Sequence, residues 1–172
     1  MAGELARRLA VPAPPEIPRL AGAAVGWEQQ LVAQCKEAGD PLPARVIGAA
    51  VETIRAFAAD PTDTLMHGDL HLGNILAAER EPWLVIDPKG FAGSAAYDAG
   101  TIVRYRPEEV AGDVRGGLLR RIAIFSEAAG VDRVLAVRAT QARMVSGALW
   151  GRLYGEPAEA IALADLVAEA LV

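Results

Sequence analysis

The feature that most constrains this chain is a polar loop followed by a short apolar strand that ends in an aspartate. Residues 67–74 read His-Gly-Asp-Leu-His-Leu-Gly-Asn, and residues 83–90 read Trp-Leu-Val-Ile-Asp-Pro-Lys-Gly. Short apolar runs flank the loop at residues 64–66, 74–76 and 83–86, and we interpret them as brief strands. The charged turn at residues 79–82 would join the last two runs as a hairpin. Such a hairpin would bring Asp69, Asn74 and Asp87 onto one rim.

The rest of the chain is predicted to be helical. Helices are expected over residues 4–10, 20–38, 44–58, 113–129, 132–154 and 157–171, with Pro and Gly at the breaks between them. In the third, Val46, Ala50, Ile54 and Phe57 form one apolar stripe. The fold class is therefore α+β and mostly α-helical, with a small β hairpin region, in a single domain over residues 1–172. We expect the three tryptophans to anchor the core.

Composition excludes several classes of protein. Of the 172 residues, 52% are hydrophobic and 23% are charged, which is typical of a folded globular domain rather than a disordered one. No uninterrupted apolar run is long enough for a membrane span, so no membrane partner is expected. The net charge of −5, without Lys/Arg clusters, argues against a nucleic-acid partner. A single cysteine favours a cytoplasmic location.

The polar residues of the loop have the chemistry that phosphoryl transfer requires. A carboxylate must orient the attacking hydroxyl and accept its proton, and oxygen ligands must hold Mg²⁺ against the nucleotide phosphates. Asp69 suits the catalytic base, and Asn74 and Asp87 suit the metal ligands. The alternative is that each of these residues only caps a turn or ends a strand. A zinc site on His67 and His71 is disfavoured, because Gly68 stands where a metalloprotease helix needs Glu, and Gly73 opposes a helix.

The pattern H-x-D-x-x-x-x-N, followed by an aspartate at a strand end, resembles the catalytic and metal-binding segments of kinases. The Gly between His67 and Asp69, together with Ile-Asp-Pro-Lys at 86–89 and Ala-Tyr-Asp at 96–98, looks most like aminoglycoside phosphotransferases of the streptomycin 6-kinase and hydroxyurea phosphotransferase group. The resemblance implies a protein-kinase-like C-terminal lobe whose hairpin region carries the catalytic loop.

The resemblance also implies a function and roles for single residues. It implies ATP as phosphate donor, Mg²⁺ as cofactor, and a hydroxyl on an aminoglycoside-like or other small antibiotic molecule as acceptor. Asp69 matches the base, and Asn74 and Asp87 match the metal ligands. His67 matches a residue that braces the loop, and Asp98 one that supports it from below. Lys89 either contacts a phosphate or lies in solvent, and the sequence does not choose between the two.

A nucleotide-binding lobe is not evident in the sequence. No glycine-rich phosphate loop occurs, and neither of the two lysines, Lys36 and Lys89, is placed as the strand lysine that pairs with the phosphates. We therefore expect the catalytic lobe alone, weakly active or inactive in isolation, with the N-terminal lobe as a missing partner. A non-catalytic binding module on a kinase scaffold and a decayed gene fragment remain the alternatives.

Overall fold

A computed structural model describes residues 1–102, 109 and 112–172 of the chain. Within these residues helices predominate, and two small antiparallel β ladders lie between the third and fourth of them. The helices are α1 (Ala2–Leu9), α2 (Leu20–Glu37), α3 (Ala44–Ala58), α4 (Ala99–Ile102), α5 (Val114–Ala129), α6 (Arg133–Tyr154) and α7 (Ala158–Ala170). The strands are β1 (Leu65–Met66), β2 (Ile75–Ala77), β3 (Trp83–Val85) and β4 (Phe91–Ala92).

The two ladders hold the polar loop between them. Strands β2 and β3 form the predicted hairpin, in which Ile75 is paired with Val85 and Ala77 with Trp83. Strand β1 pairs antiparallel with β4, so the chain leaves β1, forms the loop and the hairpin, and returns beside β1. The sequence analysis did not predict β4, because two residues are too few to show an alternating pattern.

Part of the core lies where α3 packs against α6. The predicted apolar stripe on α3 is buried. Val46 and Ala50 have no exposed surface, and Ile54 and Phe57 are 5% and 2% exposed. Several of the buried residues of α6 are alanines, whose small side chains permit close packing of helices. Buried Gln141 adds a hydrogen bond from its Nε2 to the Val46 carbonyl oxygen (2.9 Å). Because α3 leads directly into β1, this packing also fixes where the polar loop begins.

Local sequence signals explain the helix ends. The side chain of Asp113 accepts a hydrogen bond from the Gly116 N–H at the start of α5, and Asp132 accepts one from the Leu135 N–H at the start of α6. Helices α5 and α6 end at Gly130 and Gly155 in the left-handed conformation, which costs glycine little. The predicted helix bounds are thus confirmed to within two residues at each end.

One expectation about the core is wrong. Trp83 and Trp150 are 43% and 47% exposed, and only Trp27 packs against the core. Trp83 lies on the two-stranded β2–β3 ladder. Trp150 lies near the C-terminal end of α6, where its ring contacts that of exposed Tyr154 (centres 4.8 Å apart). Among the described residues, no helix is both long enough and apolar enough to cross a membrane.

Candidate active site

His67 links the polar loop to the strand that precedes Asp87. Its side chain is fully buried. Its Nδ1 accepts a hydrogen bond from the Asp69 N–H (3.3 Å), and its Nε2 donates one to the Ile86 carbonyl oxygen (2.9 Å). Because a carbonyl oxygen can only accept and a backbone N–H can only donate, these two bonds place a proton on Nε2. The imidazole therefore ties the backbone of Asp69 to the residue just before Asp87.

Two backbone hydrogen bonds hold the segment around Asp87 against the loop. The Ile86 N–H donates to the Asn74 carbonyl oxygen (3.0 Å), and the Lys89 N–H donates to the His67 carbonyl oxygen (2.8 Å). Asp87 lies between them with φ +56°, a left-handed conformation that Asp and Asn adopt more readily than most residues. The structure thus brings the backbones of residues 67–74 and 86–89 together, and the Asp87 side chain is exposed. That the side chains of Asp69, Asn74 and Asp87 share one rim stays a prediction.

Asn74 closes the loop from its far end. Its Nδ2 donates to the Asp69 carbonyl oxygen (3.0 Å), and the residue is 7% exposed. Since the amide nitrogen is used inside the loop, the oxygen Oδ1 is directed away from that bond. An amide oxygen in this position is a suitable ligand for a hard cation.

Asp98 supports the loop from its buried side. The side chain has no exposed surface, and its two oxygens accept hydrogen bonds from the His67 N–H (3.1 Å) and the Gly68 N–H (2.8 Å). Thr101 adds a bond from its hydroxyl to the Leu70 carbonyl oxygen (2.6 Å). Asp98 and Thr101 thus satisfy backbone groups that the tight loop cannot pair within itself.

Burial raises the pKa of the Asp98 carboxyl above its ordinary value, although the two N–H donors oppose the change. The folded protein then binds this proton more tightly than the unfolded chain does. The stabilisation that the protonated Asp98 carboxyl contributes is therefore complete at pH values below the ordinary Asp pKa. It is lost as the pH rises through the raised pKa of the folded protein. We expect the stability advantage of the wild type over Asp98→Asn, which does not titrate, to shrink across that window and then level off.

Urea unfolding of both proteins over a pH series measures this advantage. A wild-type advantage that grows with pH would mean that the N–H donors, and not burial, dominate the pKa of Asp98. The Asn variant has one oxygen for two donors, so it should also be less stable at every pH, by about 1–3 kcal/mol.

Arg143 on α6 is a member of the site that the sequence analysis missed. Its Nη1 donates to the Gly68 carbonyl oxygen (3.2 Å), and its Nη2 lies 3.8 Å from Asp69 Oδ1. The guanidinium carbon lies 4.5 Å from the centre of the Tyr97 ring. Gly100 leaves room for it, because a Cβ there would come within 2.7 Å of the arginine Cδ. No spacing rule connects residues this far apart in sequence.

Lys89 is exposed; its backbone N–H bonds to the loop, and the first carbons of its side chain lie next to Gly68. Among the described residues no three His, Cys, Asp or Glu side chains are grouped closely enough to hold a metal ion. The predicted magnesium ligands are two residues, one of them an amide, so this finding does not bear on them and they stay a prediction.

Comparison with known proteins gives a consistent result. The family model described as "Aminoglycoside/hydroxyurea antibiotic resistance kinase" matches residues 1–155. Streptomycin 6-kinase of Streptomyces glaucescens is 34% identical over 152 residues, which are 87% of this chain and 50% of that protein. Hydroxyurea phosphotransferase of Kitasatospora aureofaciens is 34% identical over 170 residues, which are 97% of this chain and 48% of that protein.

A solved structure of a glucosamine kinase shares the fold. It matches 99% of this chain and 49% of its own, with a TM-score of 0.60 and 19% sequence identity. The expected kinase-like fold is thereby confirmed. The chain spans about half the length of the curated relatives that it matches. On the evidence of the family match, which extends over most of its length, the chain belongs to the aminoglycoside/hydroxyurea antibiotic resistance kinase family.

Proposed function

We propose that this chain is the catalytic lobe of a phosphotransferase that moves the γ-phosphoryl group of ATP to a hydroxyl on a small antibiotic-like molecule. The observation that carries the proposal is the pair of hydrogen bonds made by the buried His67 ring, which accepts one from the Asp69 N–H and donates one to the Ile86 carbonyl oxygen. These bonds connect the backbone of Asp69, the candidate base, to the residue that precedes Asp87, a candidate metal ligand. A binding module would not require that coupling.

Asp69 is the proposed base. Its side chain is 24% exposed, so an acceptor hydroxyl can reach it, while its backbone is fixed at both the N–H and the carbonyl oxygen. The carboxylate orients the hydroxyl and takes its proton as the oxygen–phosphorus bond forms. The bond between the γ-phosphorus and its bridging oxygen breaks, and ADP leaves.

Asn74 and Asp87 are the proposed ligands of Mg²⁺. The Oδ1 of Asn74 and the exposed carboxylate of Asp87 are hard oxygen donors, and few such donors suffice because magnesium keeps other positions for phosphate and water. When bound, the ion would neutralise charge on the phosphates. Lys89 follows Asp87 by two residues on the exposed side of the same segment, and we propose that it contacts a phosphate.

The remaining requirement is a nucleotide-binding lobe, which we propose as the partner of this chain. The chain's relatives are about twice as long as the part that it matches. Without that lobe the phosphates would be held from one side only, and loss of positioning by itself costs about a hundredfold in rate. We expect the chain alone to phosphorylate streptomycin and hydroxyurea at under about one hundredth of the rate of a longer protein that includes the lobe.

The measurement is transfer of labelled phosphate from ATP to each acceptor, with and without Mg²⁺, by the chain alone and by the longer protein. Magnesium-dependent transfer by the longer protein, abolished by EDTA, is the expected result. If the longer protein binds the acceptor and never phosphorylates it, the chain is a binding module. If the chain alone transfers phosphate at the full rate, the proposal that a second lobe is required is wrong.

A further inference from the structure

Arg143 contacts the polar loop from α6 at two points. Its Nη1 donates to the Gly68 carbonyl oxygen (3.2 Å), and its Nη2 lies 3.8 Å from Asp69 Oδ1. The two nitrogens belong to one rigid planar group, so the bond to Gly68 also determines where Nη2 lies. The guanidinium therefore holds the backbone next to Asp69 and places a positive charge beside the carboxylate in one geometry.

The guanidinium is itself held in place by aromatic side chains. Its carbon lies 4.5 Å from the centre of the Tyr97 ring. That ring stacks on Trp27, with centres 5.7 Å apart and planes at 25°, and meets Phe57 edge-on at 5.8 Å. The Arg143 side chain is 20% exposed. Because the rings already restrain the arginine, it loses little further freedom when it attracts Asp69.

The contact between Arg143 and Asp69 differs from a closed ion pair. Arg152, which is also on α6, donates hydrogen bonds of 2.9 Å and 2.6 Å to the two carboxylate oxygens of Asp165. By contrast, the 3.8 Å between Arg143 Nη2 and Asp69 Oδ1 is too long for a hydrogen bond. The attraction orients the Asp69 carboxylate and leaves Oδ1 able to accept the proton of a hydroxyl.

We propose that Arg143 is a positioning residue for Asp69, because it fixes the adjacent backbone through Gly68 and orients the carboxylate by its charge. The proposal rests on the proposed function in calling Asp69 the base, whereas the restraint on the loop requires neither ATP nor transfer. The alternative is that Arg143 only attaches α6 to the loop and covers the Tyr97 ring. In that case it stabilises the fold and has no separate effect on the base.

Arg143→Met, in a longer protein that includes a nucleotide-binding lobe, should lower kcat at least about tenfold, since a displacement of about 1 Å in an active site costs about a hundredfold. KM for ATP should change little, because the two contacts of Arg143 to the loop are at Gly68 and Asp69. Arg143→Lys keeps the charge and loses the planar fork, so its kcat should be intermediate.

The decisive measurement is the effect of Arg143→Met when residue 69 is already Asn. A residue that acts through the Asp69 carboxylate has nothing left to orient in that background, so the substitution should then lower kcat less than about threefold. A residue that only stabilises the fold would lower kcat by the same factor with either side chain at position 69.

Arg152→Met is the matched control. Like Arg143, Arg152 lies on α6, donates to a backbone carbonyl oxygen and pairs with an aspartate, and its side chain is 24% exposed. Its partners, Ala148 and Asp165, are on α6 and α7. The control variant should lower the midpoint of thermal unfolding and leave kcat unchanged.

Hydrogen exchange of the chain alone tests the restraint on the loop without phosphoryl transfer. Arg143→Met should speed exchange of the backbone amides of residues 68–71 about fivefold, which is the change expected when one hydrogen bond of ordinary strength is lost. Arg152→Met should leave the exchange of these amides unchanged.

The proposal is wrong if a folded Arg143→Met protein retains more than about one tenth of the wild-type kcat, or if its loss of kcat is equal with Asp and Asn at residue 69. Unchanged exchange of the loop amides would also overturn it. If Arg143→Met does not fold, Arg143→Lys takes its place in both comparisons. If the longer wild-type protein transfers no phosphate, faster loop exchange in the variant counts against the proposed function alone, and unchanged exchange counts against both.

Discussion

Asp69→Asn, in a longer protein that includes a nucleotide-binding lobe, should lower kcat by about 10²–10⁴-fold, which is the usual contribution of a positioned general base. The amide keeps the shape of the carboxylate but cannot accept the hydroxyl proton. The backbone of residue 69 should stay in place, because the bonds from its N–H to His67 and to its carbonyl oxygen from Asn74 do not involve the side chain. KM for ATP should change little.

Folding must be separated from catalysis in this variant. The ion pair between Asp69 and Arg143 is 3.8 Å long and partly exposed, so its loss should alter the free energy of unfolding by less than about 1 kcal/mol. Thermal unfolding checks this. If the variant folds normally and retains more than about one tenth of the wild-type kcat, Asp69 is not the base.

The sequence predicted those parts of the fold that local chemistry decides. The apolar stripe of α3 and the aspartates and glycines at the ends of α5 and α6 each act within a few residues, so they can be recognised without a structure. The polar loop and its hairpin were recognised because they are contiguous. Asp98 was assigned a supporting role from the resemblance alone, and the structure places its carboxylate on the His67 and Gly68 N–H groups.

What could not be predicted depends on contacts between distant segments. Arg143 reaches the loop only because α6 packs beside it and Gly100 leaves space for its side chain. Strand β4 is two residues long and exists because β1 is there to pair with it. Trp150 was expected to anchor the core, yet its position on α6 leaves it 47% exposed. Each of these features depends on tertiary packing between distant segments, which local sequence patterns do not reveal.

Asp87→Asn should reduce kcat about 10²–10³-fold, because a bound metal ion contributes several kcal/mol of charge stabilisation and a weaker ligand would lose part of it. Asn is the appropriate replacement here. Residue 87 has φ +56°, and Asn tolerates this conformation, whereas Ala would add backbone strain of about 1–2 kcal/mol. The substitution therefore removes one negative charge with little effect on the backbone. The Mg²⁺ concentration for half-maximal rate should also rise, since the amide is a weaker ligand than the carboxylate.

Asp40→Asn is the matched control, because Asp40 also has a positive φ, of +52°, and is exposed outside the polar loop. It should leave both kcat and the magnesium requirement unchanged. Raising the Mg²⁺ concentration should restore part of the activity of Asp87→Asn but none of the activity of Asp69→Asn, since only the former loses metal affinity. If added Mg²⁺ restores the activity of both variants to the same extent, or of neither, then Asp87 is not a metal ligand. In that case the hydrogen bonds of His67 stabilise the fold and do not position a metal ligand.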